Sequence, residues 1–127
     1  MKPYGRIGLI KSWNSTISKL FVESICSTYR LKCDFYNDSV IQVLEKYGIV
    51  KRGITGRRII DASVLSDINV IGALSDSFAD MMVNVIFLID GTELFYHVVT
   101  VDNIYDFDVI MEYVSNQKIS VLSSIGD

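Results

Sequence analysis

The sequence predicts an α+β protein, on three observations. Two β-rich runs, Met82 to Ile89 and Thr92 to Val101, flank Asp90-Gly91, a dipeptide that accepts the positive φ angles of a tight hairpin turn. Behind Asp102 or Asn103, either of which can cap a helix, Ile104, Phe107, Met111 and Val114 recur at the spacing of one apolar helical face. Earlier in the chain, Tyr29, Leu31, Cys33 and Phe35 alternate with Arg30, Lys32 and Asp34, the pattern of a half-buried strand with a charged outer face.

The elements follow in order. Arg6 to Trp13 reads as a strand, and Asn14-Ser15 as a turn. The next run stays ambiguous: Ile17, Leu20, Phe21 and Ile25 sit at helical spacing behind a Ser15 cap, while Thr16, Ile17, Val22 and Ile25 are β-branched and suit a strand. After the strand that ends at Phe35, Asn37 or Asp38 caps a short helix through Tyr47, with Gly48 as its stop. Lys51 to Arg58 form a basic, glycine-punctuated loop that feeds a strand from Arg58 to Leu65. Ser66 to Asp80 fits either a strand plus loop or a helix through Ile68, Ile71, Leu74 and Phe78. The hairpin around Asp90-Gly91 is apolar on both faces, so it belongs in the middle of a sheet. One helix and a last strand from Lys118 to Ile125 complete the chain.

A chain of 127 residues suits one ordinary domain, or two of about 60 residues each. Half of the residues are hydrophobic and fourteen are aromatic, enough to build a core and to exclude a disordered chain. The most apolar stretch, Met81 to Ile89, is nine residues long and falls short of the roughly 20 residues that a membrane span needs. Met1 to Ile10 lacks the apolar region and cleavage site of a signal peptide, and the expected location is cytoplasmic.

Charge divides the chain. Up to Ile60 there are eleven basic residues against four acidic, a balance of +7; from Asp61 onward Lys118 alone faces eleven acids, a balance of -10. A basic half suits a polyanion, because each neutralised phosphate releases a counterion, and opposite halves also suit a protein contact. The expected organisation is a basic half, 1–65, and an acidic half, 66–127, either as two units or as one continuous domain.

No catalytic constellation is visible. Cys26 and Cys33 have no metal or redox-motif spacing and read as two reduced, partly buried thiols. His97 lies inside an apolar run, so the usual zinc ligands cannot be assembled. Asp102, Asp106 and Asp108 resemble a cation-binding cluster, but acids in a first helical turn also oppose the helix dipole, which is the simpler reading. No cofactor and no metal are expected.

The basic half resembles a cold-shock domain, a small five-stranded oligonucleotide-binding (OB) barrel. Ile10-Lys11-Ser12-Trp13-Asn14 followed by Ile17-Ser18-Lys19-Leu20-Phe21-Val22 is similar to that family's first two strands. Asp34-Phe35-Tyr36-Asn37-Asp38-Ser39-Val40-Ile41 looks like its third, and Leu44 to Val50 loosely matches a later segment. The resemblance spans about residues 5 to 65 and implies an OB-like barrel followed by hairpin, helix and strand, with Ile17 to Val22 as a strand. It also implies bases stacked on Trp13, Phe21 and Phe35. Ser12, Lys19, Asn37 and Asp38 stand where the family carries further aromatics, which shifts the expected affinity toward phosphate contacts.

Two functions follow as expectations. One is a non-catalytic module for single-stranded RNA or DNA, with Lys11, Lys19, Lys32, Arg57 and Arg58 on phosphate and Trp13, Phe21 and Phe35 on bases. The other is an acidic protein-interaction module of the immunity or inhibitor kind, covering a basic partner, or a homo-oligomer that pairs opposite charges.

Overall fold

The computed structural model describes residues 3–35, 37–52, 58–91, 96–116 and 120–125, of which 52, 58–60, 62, 96 and 120–125 are described by backbone alone. The chain is α+β. Strand β1 (Ile7–Lys11) leads through a short loop into helix α1 (Ser15–Tyr29), followed by the two-residue strand β2 (Cys33–Asp34) and helix α2 (Asp38–Lys46). Strands β3 (Val50–Arg52) and β4 (Arg58–Ile60), a 3-10 turn (Ala62–Ser66) and helix α3 (Ile68–Asp80) come next. Strands β5 (Asn84–Ile89) and β6 (Tyr96–Val101), helix α4 (Ile104–Asn116) and strand β7 (Ser120–Ile125) close the described chain.

Five strands form one open sheet in the order β2-β6-β5-β1-β7, and β3 pairs with β4 separately. The sheet is mixed: β1 runs parallel to β5, while β5–β6, β1–β7 and β2–β6 are antiparallel. Alternation along the strands sends side chains to two cores. Ile7, Leu9, Val85, Phe87, Ile89 and Val98 pack with α2, α3 and β3 on one side, through Leu44, Leu74, Phe78 and Val50. Ile10, Ile86, Leu88, Val99 and Val101 pack with α1 and α4 on the other, through Val22, Ile25, Phe107 and Ile110. A sheet covered on both faces explains why the hairpin sequence is apolar on both faces. At about 25 cal/mol per Å2, each fully buried Phe, Leu or Ile in these layers contributes roughly 1.5–3 kcal/mol.

The structure decides each alternative on local grounds. Asn14, not Ser15, caps α1: its Oδ1 accepts the N–H groups of Thr16 and Ile17 at 3.0 and 3.1 Å, while Ser15 is buried. The helix ends at Arg30, whose left-handed φ of 56° lets its N–H donate to the Cys26 and Ser27 carbonyls. Only Cys33–Asp34 of the alternating run is a strand, because Tyr29 ends α1 instead of opening that run. Asn37 caps α2 through the Val40 N–H, and Gly48 stops it at φ 71° as expected. The basic loop is flanked by the β3–β4 pair, with 53–57 outside the described residues, and the strand expected to reach Leu65 ends at Ile60. Residues 68–80 are helical behind an Asp67 cap. Ile89 pairs with Tyr96, so Asp90-Gly91 is not a two-residue turn, and 92–95, expected to open the second strand, lie outside the described residues.

The barrel expected from the cold-shock resemblance is not present among the described residues. Its second strand would need Ile17–Val22, which lie in α1, and the observed sheet is open, with β2 and β7 at its edges. The cap at Asn14 and the burial of Val22, Ile25 and Cys26 on one helical face favour helix over the β-branched propensity of that run. Nor does the change of charge sign at Asp61 divide the fold, since β1 of the basic half lies between β5 and β7 of the acidic half.

Candidate functional site

Of the eight residues expected to bind nucleic acid, those that the structure describes with side chains do not share one face. Lys11 ends β1, and Trp13 stands in the loop before α1, 93% exposed. Lys19 on α1 places its Nζ 3.6 Å from the Glu23 Oε1 and 6.0 Å from the Phe35 ring centroid. Phe21 lies about 200° around the helix from Lys19 and packs its ring 5.9 Å from that of Tyr113 on α4. Phe35 is half-buried against the α1–α4 core, and Lys32 is exposed in the loop ahead of β2. Arg58 begins β4, whose partner β3 belongs to the opposite core, and Arg57 lies outside the described residues. Lys19 and Phe35 are the pair among them that is brought together, as a cation over a ring, among the described residues. Arg6 also leaves the basic surface, because it is buried with its guanidinium 5.5 Å from the Phe107 ring.

Two exposed faces remain. Ile17 and Leu20, three residues apart on α1, face outward and are each more than half exposed, and Trp13 is exposed in the loop before the helix. The second face is the outward side of α4. Ile104, Phe107, Ile110, Met111 and Val114 point into the core, which turns Tyr105, Asp108, Val109, Glu112 and Asn116 to solvent, with Tyr105 80% exposed. Between this face and the end of α1 runs a groove of about 230 Å3 lined by Tyr29, Val109, Glu112, Tyr113 and Asn116. Tyr29 and Tyr113 meet edge to face with centroids 6.0 Å apart, and Phe21 extends the row behind Tyr113.

The start of α4 answers the question of the three aspartates. Asn103 caps the helix through the Asp106 N–H at 2.9 Å, and the Asp106 carboxylate accepts the Asn103 amide and the Lys32 backbone N–H, both at 3.1 Å. Asp106 thus anchors the approach to β2, and no group of three metal-ligating side chains occurs among the described residues.

Cys26 and Cys33 are joined in a disulfide, correcting the expectation of two thiols; the spacing of seven lets the turn after α1 fold the second cysteine back onto the first. The bond fixes the last turn of α1, and with it Tyr29, to β2. Near the 3-10 turn, the Ser63 hydroxyl and N–H both donate to Asp61, and with Lys51 nearby they hold its carboxyl below the ordinary carboxylate range.

No helix among the described residues is long and apolar enough to cross a membrane. Compared with family models, curated proteins and solved structures, the chain matches none.

Proposed function

We propose that the protein is a non-catalytic binding module that holds a basic protein partner against the outward face of α4. The observation that carries this reading is the combination on that face of exposed acids, Asp108 and Glu112, with exposed Tyr105 and Val109, on a helix whose other side is fully used by the core. Aromatic rings supply contact area and carboxylates supply steering and register, which is how charged interfaces divide their work. The -10 balance beyond Ile60 adds a long-range field of the same sign. A test uses arginine-rich peptides at about 50 and 200 mM salt, where screening separates charge from packing. Binding that weakens with salt and with Asp108→Asn plus Glu112→Gln supports the reading; binding indifferent to that pair rejects it. Self-association with the same salt response would identify the partner as a second copy.

A second reading, a single-stranded RNA or DNA module, is favoured by one observation. Trp13, two residues past the end of β1 at Lys11, offers an exposed indole. A base stacked on such a ring contributes about 1–3 kcal/mol. Fluorescence anisotropy of labelled RNA and DNA at the same two salt concentrations tests it, with Trp13→Ala expected to weaken binding about 5- to 150-fold. A cytoplasmic location belongs to both readings. The state of Cys26 and Cys33 tests it, because thiol pools there keep most cysteines reduced; a pair trapped reduced in cell extracts agrees, and an oxidised pair argues for an oxidising compartment.

A further inference from the structure

We infer that the groove between the end of α1 and α4 is an arginine-recognition site, the anchor point for the basic partner proposed above, on which reading it rests. Its wall is the Tyr29 ring, 51% exposed, and its floor is Tyr113, edge to face with it at 6.0 Å. On the α4 side stand Val109, Asn116 and Glu112. These are the parts that a guanidinium needs: aromatic faces whose negative quadrupole attracts a cation, an apolar rim for the methylene stem, and a carboxylate that accepts its planar fork. Arginine is preferred to lysine because a delocalised, weakly hydrated plane stacks and forks at once, whereas an ammonium does only one of these well.

Charge complementarity selects a protein as the source of the cation. Glu112 lines the groove and Asp108 is exposed one turn before it, so a chain laid along α4 meets acids beyond the groove. Arg30, though next to Tyr29 in sequence, does not line the groove. Tyr29 is held in place by the Cys26–Cys33 bond and by the cap at Arg30, which makes the wall a fixed one.

The test follows backbone amide NMR signals of the protein, at about 50 mM salt, during titration with three short glycine-flanked peptides carrying arginine, lysine or citrulline. Citrulline keeps the shape of arginine and removes its charge. Arginine should shift the amides of Tyr29, Val109, Glu112, Tyr113 and Asn116, lysine should do so more weakly, and citrulline should not. Tyr29→Ala and Glu112→Gln, both at exposed positions that the core does not use, should each weaken arginine binding about two- to five-fold. Asp108→Asn, outside the groove, should change it less than either. Equal shifts from arginine and citrulline would overturn the inference. If Asp108→Asn weakens binding and Tyr29→Ala does not, the groove is rejected while the acidic face stands. No shift from any cationic peptide would reject both.

Discussion

Gly8 on β1 and Met111 on α4 are at the limit of approach: a Cβ at position 8 would stand 2.8 Å from the Met111 Sδ and 3.2 Å from the Phe107 Cζ. The absent side chain is what lets α4 lie close on the sheet. Gly8→Ala should therefore lower stability by about 1–3 kcal/mol, the usual cost of overpacking a tight contact. Urea unfolding reads this as a lower midpoint with an unchanged slope. Because the nearest atoms end a flexible side chain, adding Met111→Ala should cost less in the Gly8→Ala background than in the wild type. Equal costs in the two backgrounds would mean that the two residues are not in contact.

Asn14→Ala removes the side chain that accepts two N–H groups at the start of α1, and should cost about 1 kcal/mol. Asn14→Asp should cost almost nothing, since it keeps the acceptor and adds a charge that the helix N-terminus favours. The pair of variants also tests the helix itself. If 15–29 were a strand, neither substitution would matter in this way.

Cys33→Ser opens the disulfide without placing a new group in the deepest core, because Cys33 is only half-buried. For so short a loop the chain-entropy argument gives a loss of roughly 2 kcal/mol. Thermal unfolding with and without reductant should show a lower Tm for the reduced wild type and no response to reductant in the variant. A wild type indifferent to reductant would show that no bond forms in solution.

Asp61 titrates below its unfolded value because Ser63 donates to its carboxylate and Lys51 lies nearby. A depressed folded pKa contributes stability that is present above the unfolded pKa and is lost as the pH falls through the folded one. The loss therefore falls at the acid end, below the ordinary carboxylate range. Side-chain 13C titration should give an Asp61 midpoint lower than that of a free aspartyl peptide, and Ser63→Ala should raise it. A midpoint untouched by Ser63→Ala would remove the hydroxyl as the main cause.

Much of the fold was legible where the signal is local. The caps, each narrowed to two neighbours of which Asn37 and Asn103 prove to act, the stop at Gly48, the inward face of α4 and the two-faced apolar hairpin are all written within a few residues of their effects. Helix α1 was legible only as one of two alternatives, because its pattern misleads: Ser15 and Ser18 are buried while Ile17 and Leu20 face out, so part of the hydrophobic spacing points away from the true core face. The parallel pairing of Ile7–Lys11 with 85–89 was equally hidden, since no local pattern names a partner that distant. At the site, Asp108 was seen only as part of a helix start and Glu112 was not singled out, Tyr29 was assigned to a strand, and the groove exists only once α1 and α4 pack side by side.

Strand β1 has both of its neighbours, β5 and β7, in the C-terminal half of the chain. During synthesis the segment Ile7–Lys11 thus leaves the ribosome long before either flank exists, with an apolar strand and two open edges. Contacts of such wide sequence separation slow folding and prolong the exposure of pairing-competent edges. The first half of this chain is an unfinished object until the second half arrives.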